Sequence, residues 1–475
     1  MWEWLNATLN EFRYCFSNKR THGWFVIIII GMMIRADQTG ITSIVRELGL
    51  SAASYPCLLH FFHADSYLLS SLEWKWQKMI SKLPILYRLR GKVVMVGDGV
   101  KQSKEGRYMP GVKKLHQESE NSAKGEYIFG HMFGGIGVLM GDISRKMYCV
   151  LVSMRLHDGL RVINSWRKND SYVEESHVVK TIRDAGRASR VFGESLLLLD
   201  RLYLTVPMLT ALAEERLVQV VTKAKINAAA FYHPKPKTKG PGAKAKKGEK
   251  VKVISLFDTM AESFITTKAL MYGKVQDVSY YSVELLWGDT WYQNLRFVLV
   301  WFEGRKTILV STDLALSPVE IIELYCHRFK IECAFRELKQ VIAGFSYRFW
   351  SKHMPKLNRF KTNDFHQEQH EAITGNPERN CIVNTVRAIE RFALFGCISL
   401  GLLQIISIRF SDLFTGTPLR FIRTPSKSIP SEATVADFIR KTIYQLLRFS
   451  PHLAITAIIT SHQFQSDVIF ERQIS

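Results

Sequence analysis

The stretch Tyr325-Cys-His-Arg328-Phe-Lys-Ile-Glu332-Cys-Ala-Phe-Arg336-Glu-Leu-Lys339 decides the reading of this chain. As a helix turning about 100° per residue, with Tyr325 at zero, it sets Arg328 at about 300°, Lys339 at about 320°, Glu332 at about 340° and Arg336 at about 20°. One carboxylate thus shares a narrow stripe with four groups able to donate to phosphate. Leu324, Ile331, Phe335, Leu338 and Ile342 fall between about 220° and 280°, so an apolar stripe runs beside the polar one. Such a helix packs on a core and points one acid, flanked by cations, at something polyanionic. The spacing alone also fits an amphipathic surface helix whose Glu and Arg pair at i,i+4. The order and identity of the polar residues weigh against that. Glu337, at about 120°, lies across the helix from Glu332 and reads as a solvated charge.

Upstream, two apolar runs end in aspartate. They are Lys92-Val-Val-Met-Val-Gly-Asp98-Gly99 and Ser195-Leu-Leu-Leu-Leu-Asp200-Arg201. Short apolar runs bounded by turn or polar residues read as buried strands. A single Asp in such a place is usually a turn or cap residue. Two of them, both preceding the helix, form a pattern.

The pattern resembles the signature of bacterial DDE transposases of the insertion-sequence-four family, in which Tyr, Arg, Glu and Lys recur at the spacing of Tyr325, Arg328, Glu332 and Lys339. The resemblance covers roughly residues 40–350. It implies a mixed α/β, ribonuclease H-like catalytic domain interrupted by a β-rich insertion, with helical regions at both ends. It further implies that Asp98, Asp200 and Glu332 are the catalytic carboxylates, holding Mg²⁺ with Mn²⁺ as a substitute. In that scheme Asp98 bridges two ions, and Asp200 and Glu332 hold one each. Hard divalent cations take oxygen ligands, and a metal pair can activate an attacking oxygen while stabilising the leaving one. Tyr325, Arg328, Lys339 and Arg336 are then the DNA-binding residues. The implied activity is cleavage of a mobile element's ends and their joining to target DNA, performed by a homodimer on the terminal inverted repeats. A nuclease of the same fold without strand transfer, or a silent DNA-binding repressor, are the alternatives. Two positions depart from the family: Phe329 stands where Trp is usual, and Thr307 stands near a Trp that some members stack on a flipped base. Trp301 and Trp291 lie nearby.

Composition agrees with a polyanionic partner. Sixty-four Lys and Arg against 43 Asp and Glu give the 475 residues a net charge of +21, the electrostatic footprint of nucleic-acid binding. The seven Cys form no C-x-x-C pair and read as reduced, buried thiols of a cytoplasmic bacterial protein. Trp24 to Ile34 is apolar but too short to span a bilayer, so it reads as a buried helix and no membrane association is expected.

The domains expected are a helical DNA-binding region over 1–85, a catalytic domain over 92–227 and 307–350, an insertion over 228–306 and a helical, dimer-forming region over 351–475. Ile41 to Leu48 and Ser51 to Phe62, around Gly49, have a helix-turn-helix pattern. Strands are expected at Lys92–Asp98, Tyr127–Met140, Lys146–Leu156, Ser195–Asp200 and Leu217–Thr222, with a helix between Tyr172 and Arg190. In the insertion, Val275–Leu286, Trp291–Trp301 and Thr307–Thr312 read as β. Eight lysines between Tyr232 and Lys252 suggest a mobile phosphate clamp, and the aromatic and basic stretch from Ser346 to Phe360 suits a nucleic-acid groove. Ile382 to Arg409 reads as a core helix.

Overall fold

The computed structural model describes residues 1–117, 125–168, 173–235, 245–358, 370–414 and 428–464. The helices are α1 Trp2–Asn10, α2 Lys19–Ile34, α3 Ile41–Glu47, α4 Ser54–His63, α5 Leu69–Ser81, α6 Arg161–Lys168, α7 His177–Phe192, α8 Val206–Glu214, α9 Leu256–Thr259, α10 Pro318–Tyr325, α11 Lys330–Gln340, α12 Asn376–Arg409, α13 Glu432–Phe449 and α14 Ala454–Thr460. The strands are β1 Arg88–Leu89, β2 Lys92–Ser103, β3 Lys113–His116, β4 Tyr127–Asp142, β5 Lys146–Leu156, β6 Ser195–Leu198, β7 Val218–Lys223, β8 Ala229–Phe231, β9 Lys250–Lys252, β10 Ile265–Met271, β11 Lys274–Gly288, β12 Tyr292–Phe302 and β13 Arg305–Ser311.

The catalytic half of the sheet follows the order β5-β4-β2-β6-β7. Antiparallel pairs join β5 to β4 and β4 to β2, and parallel pairs join β2 to β6 and β6 to β7. That mixed α/β order is ribonuclease H-like. The parallel strands need a crossover, and α7 supplies it between β5 and β6, as parallel pairing requires. Val93, Val94, Met95 and Val96 on β2 and Leu196, Leu197 and Leu198 on β6 are fully buried, as expected of strands covered on both faces. The insertion strands extend the same sheet, because β13 pairs with both β7 and β12.

Two glycines on β4 open the sheet to close packing on both faces. A Cβ on Gly135 would lie 2.9 Å from the Phe335 ring of α11, and a Cβ on Gly134 would collide with the His157 ring on the other face. Only glycine lets side chains approach this closely. Phe335 thereby seats the signature helix directly on the catalytic strands.

α12 is the spine of the remaining helical layer. It is long and apolar enough to cross a membrane, but 94% of its most apolar window is buried inside the fold, where it packs on β5, α2 and α4. Arg35, buried at the end of α2, donates from Nε to Ile342 O at 2.9 Å, from Nη2 to Ala343 O at 2.6 Å and from Nη1 to Gly40 O at 3.1 Å. Its guanidinium thus satisfies carbonyls just beyond the end of α11, where helix carbonyls are otherwise orphaned. Burial lowers this guanidinium to about 10.

Several expectations are refined. The signature is not one helix. α10 begins with a capping box, Ser317 and Glu320 around Pro318, and ends at Tyr325. The amides of His327, Arg328, Lys330, Ile331 and Glu332 bond to carbonyls three residues back, for example Arg328 N to Tyr325 O at 3.1 Å and Glu332 N to Phe329 O at 3.0 Å. This tightened turn joins α10 to α11 and rotates Tyr325 relative to Glu332 away from the even wheel. β2 does not stop at Asp98 but runs on to Ser103, because the longer β4 keeps pairing after β6 has ended. The helix expected from Tyr172 is α7, which starts at His177, where Ser176 caps it, and α6 lies between it and β5; Tyr172 lies outside the described residues. Cys381 is exposed, although Cys149, Cys326 and Cys397 are buried. The segment 236–244 of the lysine-rich stretch and residues 359–360 of the aromatic, basic one also lie outside the described residues. The flanks of the former pair as β8 and β9.

Candidate active site

The two aspartates are brought together by strand register. β2 and β6 pair Val93 with Ser195, Val94 with Leu196, Met95 with Leu197 and Val96 with Leu198. The pairing stops at Leu198, two residues before Asp200, which leaves the strand end near enough to Asp98 to act on its carboxyl. Asp98 is also opposite Gly135, the glycine under Phe335, so its side chain faces α11. Asp200 precedes the short turn Arg201–Tyr203 and its side chain caps nothing there.

Arg328 joins the first aspartate's strand to the helix. Its Nη1 donates to Asp98 Oδ2 at 2.9 Å, and its Nη2 donates to Glu332 Oε1. The i,i+4 pair that a surface helix would make is therefore present, but the same guanidinium also grips an acid 230 residues away. Asp98 is the inner partner, at 22% side-chain exposure, whereas Glu332 is at 56%. The other oxygen of Asp98 accepts from Gly99 N at 2.7 Å. Burial raises the Asp98 carboxyl above its ordinary value; Arg328 opposes that, and Asp200 adds to it. Burial pulls the Arg328 guanidinium down, but Asp98, Glu332 and Asp200 more than offset this and the net shift is upward. Burial likewise raises the Tyr325 phenol, with Arg328, Asp200 and Asp98 all acting on it.

Asp98, Glu332, Arg336 and Lys339 line one open cavity of about 440 Å³, with Lys101, Phe335 and Gln340. Lys339 Nζ donates to Lys101 O at 3.2 Å. Arg336 is more than half exposed and pairs with Glu337 at 2.8 Å. Glu337 is accordingly no solvated charge: its side chain is only 16% exposed and holds Arg336 at the cavity edge. Tyr325, Arg328 and Asp200 stand outside this lining. Lys101 is the cavity residue that sequence reasoning missed; its signal was a cation three positions after Asp98 on the same strand.

Residues 158–363 match a family model described as a transposase DDE domain. The DDE match holds Asp200, Tyr325, Arg328, Glu332 and Lys339 and spans the insertion; Asp98 lies upstream of it. No curated protein and no solved structure matches the chain.

Asp98 and Glu332, with Asp200 just past the end of β6, offer the hard carboxylate oxygens that Mg²⁺ takes. Among the described residues, however, no three His, Cys, Asp or Glu side chains are gathered as a metal cage. One guanidinium instead spans Asp98 and Glu332. The donor chemistry fits a divalent cation once Arg328 lets go of these oxygens. Near the DDE match's insertion, Phe329 packs on Tyr272 at 5.9 Å between ring centroids. Trp301 is 43% exposed, and Lys306 lies 5.1 Å over its ring.

Proposed function

We propose that this chain is a DNA transposase of the insertion-sequence-four group, which cuts the ends of its own element and joins them to target DNA. The observation that carries the reading is that Arg328 ties Asp98 to Glu332, with Asp200 near enough to raise the Asp98 carboxyl. Together with the DDE match, this favours Asp98, Asp200 and Glu332 as the ligands of Mg²⁺, or of Mn²⁺ in its place. Such a cation supplies activation of an attacking oxygen and stabilisation of a leaving one.

The chain's own groups do the rest. Asp98 is held from two sides, by Gly99 N and Arg328, so its oxygens are oriented before DNA arrives. Arg328 acts as a placeholder that neutralises the acids and then transfers its fork to a phosphate, a partner it can grip with two nitrogens. Lys339 and Arg336 line the same cavity and offset phosphate charge along it, with Lys101 offering its carbonyl to Lys339. The helix-turn-helix segment α3–α4 and the lysine-rich stretch contribute sequence-specific and sequence-independent contacts to the terminal repeats. Two ends must be cut together, which calls for a homodimer.

A plasmid carrying this gene with its native flanks tests the proposal. Induced wild-type protein should excise the element and re-insert it, and Asp200→Asn should do neither while still retarding DNA. Cutting without any joined product would convert the reading to a nuclease. Retardation without cutting by the wild type would reduce the chain to a binding protein.

A further inference from the structure

Behind the sheet, on the face opposite Asp98, lies a buried chain of hydrogen bonds. Asp184 Oδ2 is 2.7 Å from His157 Nε2, His157 Nδ1 is 2.8 Å from His177 Nδ1, and His177 Nε2 is 2.8 Å from the Tyr203 hydroxyl. Three parts of the fold meet in it: Asp184 and His177 come from α7, His157 follows β5, and Tyr203 lies three residues beyond Asp200. Arg187 and Arg155 flank the Asp184 carboxylate.

The direction of every bond follows from this end. A carboxylate can only accept, so His157 must donate from Nε2 and its Nδ1 carries a lone pair. That lone pair accepts from His177 Nδ1–H, which leaves His177 Nε2 to accept from the Tyr203 hydroxyl. Burial lowers both imidazoles to about 3, so each ring keeps one N–H and one lone pair at neutral pH.

The chain touches both catalytic strand ends. Gly99, the residue after Asp98, points at the rings: a Cβ there would lie 2.8 Å from His177 Nε2. Tyr203 closes the turn that Asp200 opens, with Tyr203 N bonding to Asp200 O at 3.0 Å. His177 is therefore wedged against one aspartate's strand and hydrogen-bonded to the other aspartate's turn.

We propose that Asp184, His157, His177 and Tyr203 form a positioning strut that sets the separation of Asp98 and Asp200, and hence their fitness to share a divalent cation. The inference rests on the reading of these two acids as metal ligands. Partners of this outer kind act through the ligands, and their loss commonly costs 10–100-fold in metal affinity.

The test uses the full chain without DNA, with Mn²⁺ affinity read by electron paramagnetic resonance and the imidazole tautomers by ¹⁵N resonance. His157 should be protonated at Nε2 and His177 at Nδ1 in the wild type. Tyr203→Phe should leave the melting temperature and DNA retention near wild type but weaken Mn²⁺ binding about tenfold or more. Asp184→Asn, which can donate as well as accept, should scramble the tautomers and weaken Mn²⁺ binding similarly. Wild-type Mn²⁺ affinity in Tyr203→Phe, or His177 protonated at Nε2 in the wild type, overturns the strut. Asp98→Asn and Asp200→Asn separate the two ideas. If they abolish Mn²⁺ binding while Tyr203→Phe does not affect it, the strut alone fails. If neither the wild type nor Arg328→Gln binds Mn²⁺, the metal reading falls and takes the strut with it. Should Tyr203→Phe not fold, the wild-type tautomers and Asp184→Asn decide.

Discussion

Replacing Arg328 with Gln should tighten metal binding and slow DNA cleavage at the same time. The guanidinium and Asp98 are mostly buried, at 14% and 22% side-chain exposure, so their charge-assisted bond contributes about 1.5–3 kcal/mol. The pair with Glu332, more than half exposed, adds under about 1 kcal/mol. A cation that claims Asp98 must first displace this bond. At about 1.4 kcal/mol per tenfold, the displacement weakens apparent affinity by roughly 10–100-fold. Removing Arg328 removes that cost and a like charge beside the incoming ion. Asp98 without its partner also takes up a proton more readily, which works the other way, so the titration belongs at a pH of about 8, well above the carboxylate range. Mn²⁺ binding to the DNA-free protein should then be roughly 10–100-fold tighter in Arg328→Gln than in the wild type. Single-turnover cleavage at saturating DNA should fall, because the phosphate loses its fork. Arg328→Lys should also be slow, since one ammonium cannot span Asp98 and Glu332 or grip a phosphate with two nitrogens. Equal or weaker Mn²⁺ binding by Arg328→Gln would refute the placeholder role.

Asp98→Asn should abolish cleavage yet raise the melting temperature of the metal-free protein at neutral pH. The folded-state pKa of Asp98 is raised by burial, so the ionised form costs stability above that pKa, and the cost disappears as pH falls below the unfolded value. The gain from Asn should accordingly shrink as the melt is moved into the acid range; a variant less stable than wild type at neutral pH would contradict this. Neutralising the exposed Lys235, Lys246, Lys250 and Lys252 should weaken binding to all DNA alike and flatten the salt dependence, by about 0.9 log–log units for each phosphate no longer neutralised; an unchanged slope would remove the clamp. Arg35→Met strips donors from three carbonyls around the end of α11 and should lower stability by about 3 kcal/mol or more, read as a fall in melting temperature.

The strands that build the catalytic sheet were legible because each is a local apolar run, and a run of Val or Leu reads the same wherever its partner lies. The acids stood out as candidates because each ends such a run or sits on a helical stripe. What escaped the sequence are contacts made across long separations. Nothing near Asp98 announces that Arg328 will reach it, and nothing near His157 announces His177 and Tyr203. One local feature, the unbroken signature helix, was misread because a few i→i−3 bonds reshape a turn without changing which residues are polar. Glu337 was misread for a related reason, since the wheel knows only its own helix and its neighbour Arg336 had been assigned elsewhere.

The two faces of the sheet explain why glycine recurs where side chains would be expected. Gly134 and Gly135 are adjacent on β4, so they point to opposite sides, and they lie opposite Gly99 and Asp98 on β2. On Asp98's side the missing Cβ admits Phe335, which seats the helix carrying Glu332. On the other side the missing Cβs admit His157 and His177. An alanine at Gly135 would lift α11 and carry Glu332 and Arg328 away from Asp98, whereas an alanine at Gly134 would push on the histidine chain and leave the helix seated. The first should therefore break the Arg328 bridge between the acids, and the second should disturb their spacing from behind.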